Sequence, residues 1–237
     1  MSYTRRSNES AANWLIPDFG MFSFPEALVG DWRTAYQKLT QVAEENPWPD
    51  KMKKLFWRGN LGMGEYRRTF SNMVHNFEWS DVQEGNAENR VEIWDHCKYA
   101  YLAHIEGVSY SGRLKYLLQC GSVVVMPQPE WLEWFSPLLV DSGSKQNVVT
   151  VSRDLNHLAL TMETLIKSDD WAQKVAKNAA EKFMYNHISE TCEACYFREV
   201  LRRYAELQTF KPSKKDGKAF ESWILYPEGI FNHNGID

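Results

Sequence analysis

Asp95-His96-Cys97-Lys98-Tyr99-Ala100-Tyr101-Leu102-Ala103-His104-Ile105-Glu106-Gly107-Val108-Ser109-Tyr110-Ser111-Gly112-Arg113-Leu114-Lys115-Tyr116-Leu117-Leu118-Gln119-Cys120-Gly121-Ser122-Val123-Val124-Val125-Met126-Pro127 is the stretch on which the fold turns. It reads as a strand at about 98–105, a tight turn of small residues, a helix, and a wholly apolar strand at about 122–126. A turn rich in Gly and Ser that opens a helix offers unpaired backbone N–H groups and the positive end of the helix dipole, which suits a phosphate. Arg113 falls in the first helical turn, where the dipole disfavours a cation. A positive charge set against that preference is explained if it faces an anion. The segment therefore points to a diphosphate ligand such as a nucleotide-sugar.

Outward from this unit, strands keep alternating with helices. Upstream, Leu28, Trp32, Tyr36, Leu39 and Val42 recur at helical spacing, and Pro47 and Pro49 end that helix. Leu55-Phe56-Trp57 reads as a strand opening into a loop at Arg58-Gly59-Asn60, and a helix is expected from Glu65 to about Asn76. Residues 78–90 are polar and read as a surface connection. Downstream, Glu130–Phe135 reads as a short helix, Asn147–Val151 as a strand, and Asp154 as the N-cap of a further helix. Helical periodicity continues through about 158–167, 170–186 and 189–207. The pattern implies an α/β fold, a Rossmann-like parallel sheet flanked by helices.

The 237 residues are 43% hydrophobic and 24% charged, which fits an ordinary globular chain. A formal net charge of −4 and a pI near 5.9 argue against bulk nucleic-acid binding. No run of about 18 apolar residues is present, so no membrane-spanning helix is expected, and the polar start lacks the apolar core of a signal peptide. Ten Trp, eleven Tyr and twelve Phe fit either a large core or ring-stacking recognition. The four cysteines are too few for a disulfide scaffold. If the strands after Cys97 and Cys120 are parallel neighbours, both cysteines lie at one sheet edge, as a bonded pair or as two buried thiols. Cys192 and Cys195, with only His187 nearby, read as buried helix cysteines rather than as a metal site.

Two strand ends carry the candidate chemistry. Ser109 and Ser111 can donate to phosphate oxygens and Arg113 can grip a diphosphate; the bland alternative is a capping serine beside a solvated arginine. This is not the GxGxxG fingerprint, so a nicotinamide dinucleotide is not favoured. Arg58 and Arg67 or Arg68, at the other strand end, are candidates for a second phosphate contact. Glu130 stands where an acid would hold a ribose diol, or serves as an ordinary helix-terminal acid. His96 and His104 read as packed residues rather than as catalysts.

Phe56-Trp57-Arg58-Gly59, Asp95-His96-Cys97-Lys98-Tyr99, Glu106 to Leu118 and Glu130-Trp131 together resemble glycosyltransferase family 90, which includes protein O-glucosyltransferases and fungal capsule-associated xylosyltransferases. Pro17-Asp18-Phe19-Gly20 and Cys195-Tyr196-Phe197 extend the resemblance over about residues 14–208, and Ser111–Leu118 is most like fungal members. The resemblance implies a GT-B fold and inverting transfer of glucose or xylose from UDP-glucose or UDP-xylose, without a metal ion or other cofactor, to a glycan or protein hydroxyl. It places the donor on Val108, Ser109, Tyr110, Ser111, Gly112 and Arg113, and on Asn60 with an arginine shortly after it. The family spacing falls near Tyr66, so Arg67 is the choice. It also implies a Cys97–Cys120 bond and a secretory-pathway setting.

The family's catalytic base is an Asp in an N-terminal domain, upstream of the Pro17–Gly20 region. The chain thus resembles the donor-binding, C-terminal half of a GT-B enzyme. The expected organisation is an acceptor-side remnant and linker helix over 1–48, the nucleotide-sugar-binding domain over 49–210, and a tail over 211–237. No catalytic residue is assigned, because Asp18 and Glu26 match no catalytic position. The alternative is a non-catalytic module that keeps the fold.

Overall fold

The computed structural model describes residues 1–10, 12–24, 28–184 and 187–210. Glu26 and the expected tail over 211–237 lie outside them. The chain divides into two compact units, Met1–Arg198 and Glu199–Asp237; the first holds the sheet and its helices.

Two-residue strands come first: β1 (Arg5–Arg6), β2 (Ser23–Phe24) and β3 (Gly30–Asp31). Helix α1 (Trp32–Glu45) starts where the Asp31 carboxylate accepts the Thr34 N–H at 2.9 Å. It buries Trp32, Ala35 and Leu39 on one face and stops at Asn46, before Pro47. The sheet then forms from β4 (Met52–Gly59), β5 (Ser80–Glu84), β6 (Tyr99–Ala103), β7 (Val123–Pro127) and β9 (Val149–Val151). Between them run α2 (Glu65–Val74), α3 (Leu114–Gln119) and β8 (Trp131–Leu132), and α4 (Leu158–Lys167) and α5 (Asp169–Lys177) follow.

All five sheet strands run parallel, in the order β5-β4-β6-β7-β9. Both faces are covered, which is why the inner strands read as continuous apolar runs. Successive β4 residues serve opposite layers. Leu55 and Trp57 pack with Phe70 and Val74 of α2, Leu158 and Met162 of α4, and Val175 of α5. Phe56 packs with Trp32 and Leu39 of α1 and Leu117 and Leu118 of α3. The connections leaving β4 and β6 therefore go to opposite faces. Their carboxyl ends diverge, and this switch point is where open α/β sheets form a crevice.

The opposite edge of the sheet is closed. Cys97 and Cys120, at the starts of β6 and β7, form a disulfide with Cα atoms 4.5 Å apart. Lys51, just before β4, is buried, and its ammonium donates to the carbonyls of both cysteines, at 3.0 Å to Cys120.

Four expectations are corrected. Residues 78–90 are not only a connection: Ser80–Glu84 is an edge strand whose polar residues stay near solvent while Val82 alone is buried. Glu130–Phe135 is not a helix, because Trp131–Leu132 pairs antiparallel with Arg5–Arg6, so a distant segment supplies the backbone partners. The Glu130 carbonyl also accepts the Ser7 N–H at 2.7 Å, and the Thr4 hydroxyl donates to the Leu132 carbonyl at 2.8 Å. Asp154 caps no helix: it accepts the Ser152 hydroxyl and the Asn156 N–H in a local turn, and α4 begins at Leu158. In the helix Glu190–Leu207, Cys195 is exposed and Cys192 only half-buried. The buried member of that turn is Glu193.

Candidate functional site

The end of β4 is built around the Trp57 indole. A Cβ on Gly59 would stand 2.5 Å from that ring, so only glycine lets the strand leave the sheet there. The Asn60 side chain then accepts the Gly62 N–H at 2.7 Å, and Gly64, at φ 143°, turns the chain into α2. This places Arg67 in the first turn of α2, buried against the neighbouring loop. Its guanidinium donates to the carbonyls of Asn60 (3.2 Å), Ile105 (3.3 Å) and Glu106 (3.1 Å). It thus ties the loop after β4 to the loop after β6.

The loop after β6 returns Arg113 to the same place. Arg113 is the N-cap residue of α3, and its guanidinium donates to the Arg58 carbonyl at 2.6 Å. The Arg67 and Arg113 guanidinium carbons lie 5.7 Å and 5.9 Å from the centroid of the Trp57 ring, whose negative face offsets part of their charge. Neither guanidinium meets a carboxylate among the described residues. Burial lowers both, Arg113 to about 10 with Arg67 adding to the effect. With only six residues, α3 supplies little dipole, so the guanidiniums rather than the helix end give the site its positive charge.

These groups line a cavity of about 550 Å³ at the switch point, within the size range of ligand sites. Asn60, Arg67, Tyr110, Ser111, Gly112 and Arg113 are all in its wall. Three other candidates are not. Val108 is 74% exposed, and Ser109 turns its carbonyl to the Gly107 N–H at 2.9 Å. Glu130 pairs with Arg153 at 3.2 Å and Arg6 at 3.8 Å. Arg58 lines the cavity but is committed to Asp81 at 2.6 Å, whose other oxygen accepts the Tyr99 hydroxyl at 2.8 Å.

The sequence reading missed part of the wall. Asn86, Arg90, Val91 and Ile93 come from the stretch read as surface, where Asn86 and Asn89 cross-bond each other's backbone N–H groups. Paired asparagines three apart were a signal for an ordered turn. His96 was also missed: it lines the cavity at 5% exposure. Phe24 and Val29, from the N-terminal segment, line the cavity as well.

No aspartate or glutamate lines the cavity among the described residues. Asp18 lies behind it: its carboxylate accepts the Tyr110 hydroxyl, whose own ionisation is pushed up by burial and by that bond. Buried Glu106 braces the loops, taking the Glu130 and Trp131 N–H groups at 3.0 and 2.9 Å on one oxygen and Arg153 on the other.

The sequence model of glycosyl transferase family 90 matches residues 2–221. Protein O-glucosyltransferase 1 of Homo sapiens is 27% identical over 208 residues, covering 82% of this chain and 52% of the relative. O-glucosyltransferase rumi of Drosophila melanogaster is 28% identical over 204 residues, covering 79% and 49%. The chain spans about half the length of the curated relatives it matches. A match over most of its length, on a parallel α/β sheet with a cationic crevice at the switch point, places the chain in glycosyl transferase family 90.

Proposed function

We propose that this chain is the donor-binding half of a family 90 glycosyltransferase, and that the switch-point cavity takes the diphosphate of UDP-glucose or UDP-xylose for inverting transfer to a protein or glycan hydroxyl. The observation that carries the reading is the pair Arg67 and Arg113. Both guanidiniums are partly withdrawn from water without a carboxylate, and a bound diphosphate offsets the cost of that desolvation. The names of the relatives favour glucose.

In this reading the guanidiniums take up the charge that develops on the leaving diphosphate, with no metal ion required. The cavity wall offers a divalent cation no carboxylate among the described residues. It likewise offers an acceptor hydroxyl no carboxylate base, and Asp18 behind it is engaged by Tyr110. In this reading the base comes from outside the described residues. The Cys97–Cys120 bond supports a setting in the oxidising secretory pathway. Among the described residues no helix is long and apolar enough to cross a membrane.

Calorimetric titration with UDP tests the reading. The folded chain is expected to bind, and a folded wild type with no affinity for UDP overturns the proposal. Incubated alone with either sugar donor and mixed acceptors, the chain is expected to give no transfer above background. Product formation abolished by Asp18→Asn would place the base in this chain instead.

A further inference from the structure

His96 has no role in the binding scheme above. It sits in the short helical turn Ile93–Lys98 that leads into β6, with its ring edge-on to Phe56, centroids 4.7 Å apart. At 5% exposure it is more than nine-tenths buried, yet it lines the cavity. Its ring nitrogens bond no described residue and, unlike Nδ1 of His104, are not sealed off, so they open on the cavity. His104, equally buried, does not line the cavity. A ring nitrogen that opens on the cavity and is held by no protein group is free to meet a ligand oxygen directly.

We propose that His96 is a third contact for the bound diphosphate, neutral without ligand and protonated once a phosphate oxygen sits between it and Arg113. The inference rests on the donor-binding reading. The charged groups acting on the ring are Arg113, before α3, and Arg58, on β4. Arg67, Arg90, Tyr110 and Tyr116 also line the cavity, with the Tyr110 hydroxyl turned to Asp18 and the Tyr116 hydroxyl to the Gly20 carbonyl. On its own turn, Asp95 and Lys98 pair with each other at 2.7 Å, and Lys38 of the packed helix α1 lies over Trp94 at 4.1 Å. Burial first, and then the two guanidiniums, pull the imidazole down to about 3, so the free site holds it neutral. An anion placed among these three groups reverses the local sign and favours the imidazolium. The proton comes from solvent, and no bond other than N–H is made.

UDP-glucose is the probe, because both phosphates of its diphosphate are substituted and neither has a proton that titrates near neutrality. Binding is measured by calorimetry from pH 6 to 8 in buffers of different ionisation enthalpy. Wild type is expected to take up a proton on binding, with affinity falling by up to tenfold per pH unit. His96→Asn keeps a neutral donor, and its thermal unfolding reports whether it folds. It is expected to lose the proton uptake and flatten the pH profile. Wild-type affinity that is independent of pH, with no proton exchange, overturns the inference without using any variant; so does uptake that persists in His96→Asn. UDP-glucose binding that is lost in Arg113→Ala yet insensitive to pH overturns the role of His96 alone. Absence of binding at every pH overturns the donor-binding reading as well.

Discussion

The two edges of the parallel sheet treat buried cations in opposite ways. At the amino edge, Lys51 is as buried as Arg67 at the carboxyl edge, and each donates to backbone carbonyls without a carboxylate. Beneath Lys51 the chain is covalently closed by Cys97 and Cys120, whose carbonyls it holds. Beside Arg67 the strands diverge, and Arg113 and His96 face the same cavity. One edge spends its cation on holding β6 to β7; at the other, Arg67 ties two loops together, yet it and Arg113 still line a space sized for a ligand. Stability and recognition should therefore separate between Lys51 and the disulfide at one edge and Arg113 at the other.

The largest expected effect tests the closed edge. Replacing both Cys97 and Cys120 with Ser removes a crosslink spanning 23 residues, which should lower unfolding stability by about 3 kcal/mol in the chain-entropy model. Denaturant titration measures the loss, and UDP affinity of the remaining folded protein should stay within about twofold. A parallel loss of affinity under conditions where the variant is folded would show that the two edges are coupled.

The open edge gives the mirror image. Arg113→Met should weaken UDP binding by about 1.5–3 kcal/mol, the range for a hydrogen bond to a charged group. Unfolding stability should change by less than about 1 kcal/mol, because the lost bond to the Arg58 carbonyl is offset by removal of a buried charge. Large destabilisation with intact UDP affinity would assign Arg113 to the fold instead of the ligand.

The same contrast explains what could be read from the sequence. β6, the loop to Arg113, α3 and β7 were legible, because strands covered on both faces are written as unbroken apolar runs and the turn between them needs small residues. The Cys97–Cys120 edge was legible in part, as one of two options, from cysteines standing just before neighbouring strands. β5 was hidden because an edge strand with one buried residue has no apolar signature, and the wall at Asn86–Ile93 was hidden with it. Trp131-Leu132 was misread because its partner, Arg5-Arg6, is more than a hundred residues away and nothing local marks the pairing. His96 was set aside since a buried histidine usually packs. Only the cavity shows that this ring has space in front of it and no partner behind.

The smallest expected effect is a pH dependence set by the closed edge. Burial, with Lys53 adding to it, lowers Lys51 from 10.5 to about 8. The unfolded chain therefore binds more protons than the folded one between these values, and stability rises with pH across that window. Below about pH 8 both states carry the charge and the full desolvation penalty applies; above it the folded state sheds the proton and the penalty fades. The slope for one group cannot exceed about 1.4 kcal/mol per pH unit. Lys115, also lowered to about 8 by burial, adds in the same direction. Half-buried Tyr66 and buried Tyr101, raised to about 12, oppose it once the unfolded tyrosines ionise near pH 10, so the useful range is pH 8 to 9.5. Urea titrations over that range should show stability climbing in the wild type and climbing less steeply in Lys51→Met. The variant also leaves two carbonyls without their donor, which lowers its stability at every pH, so the slope and not the offset is the readout. An equal slope in both proteins would show that Lys51 stays charged in the folded state throughout, held by the two cysteine carbonyls more strongly than burial opposes it.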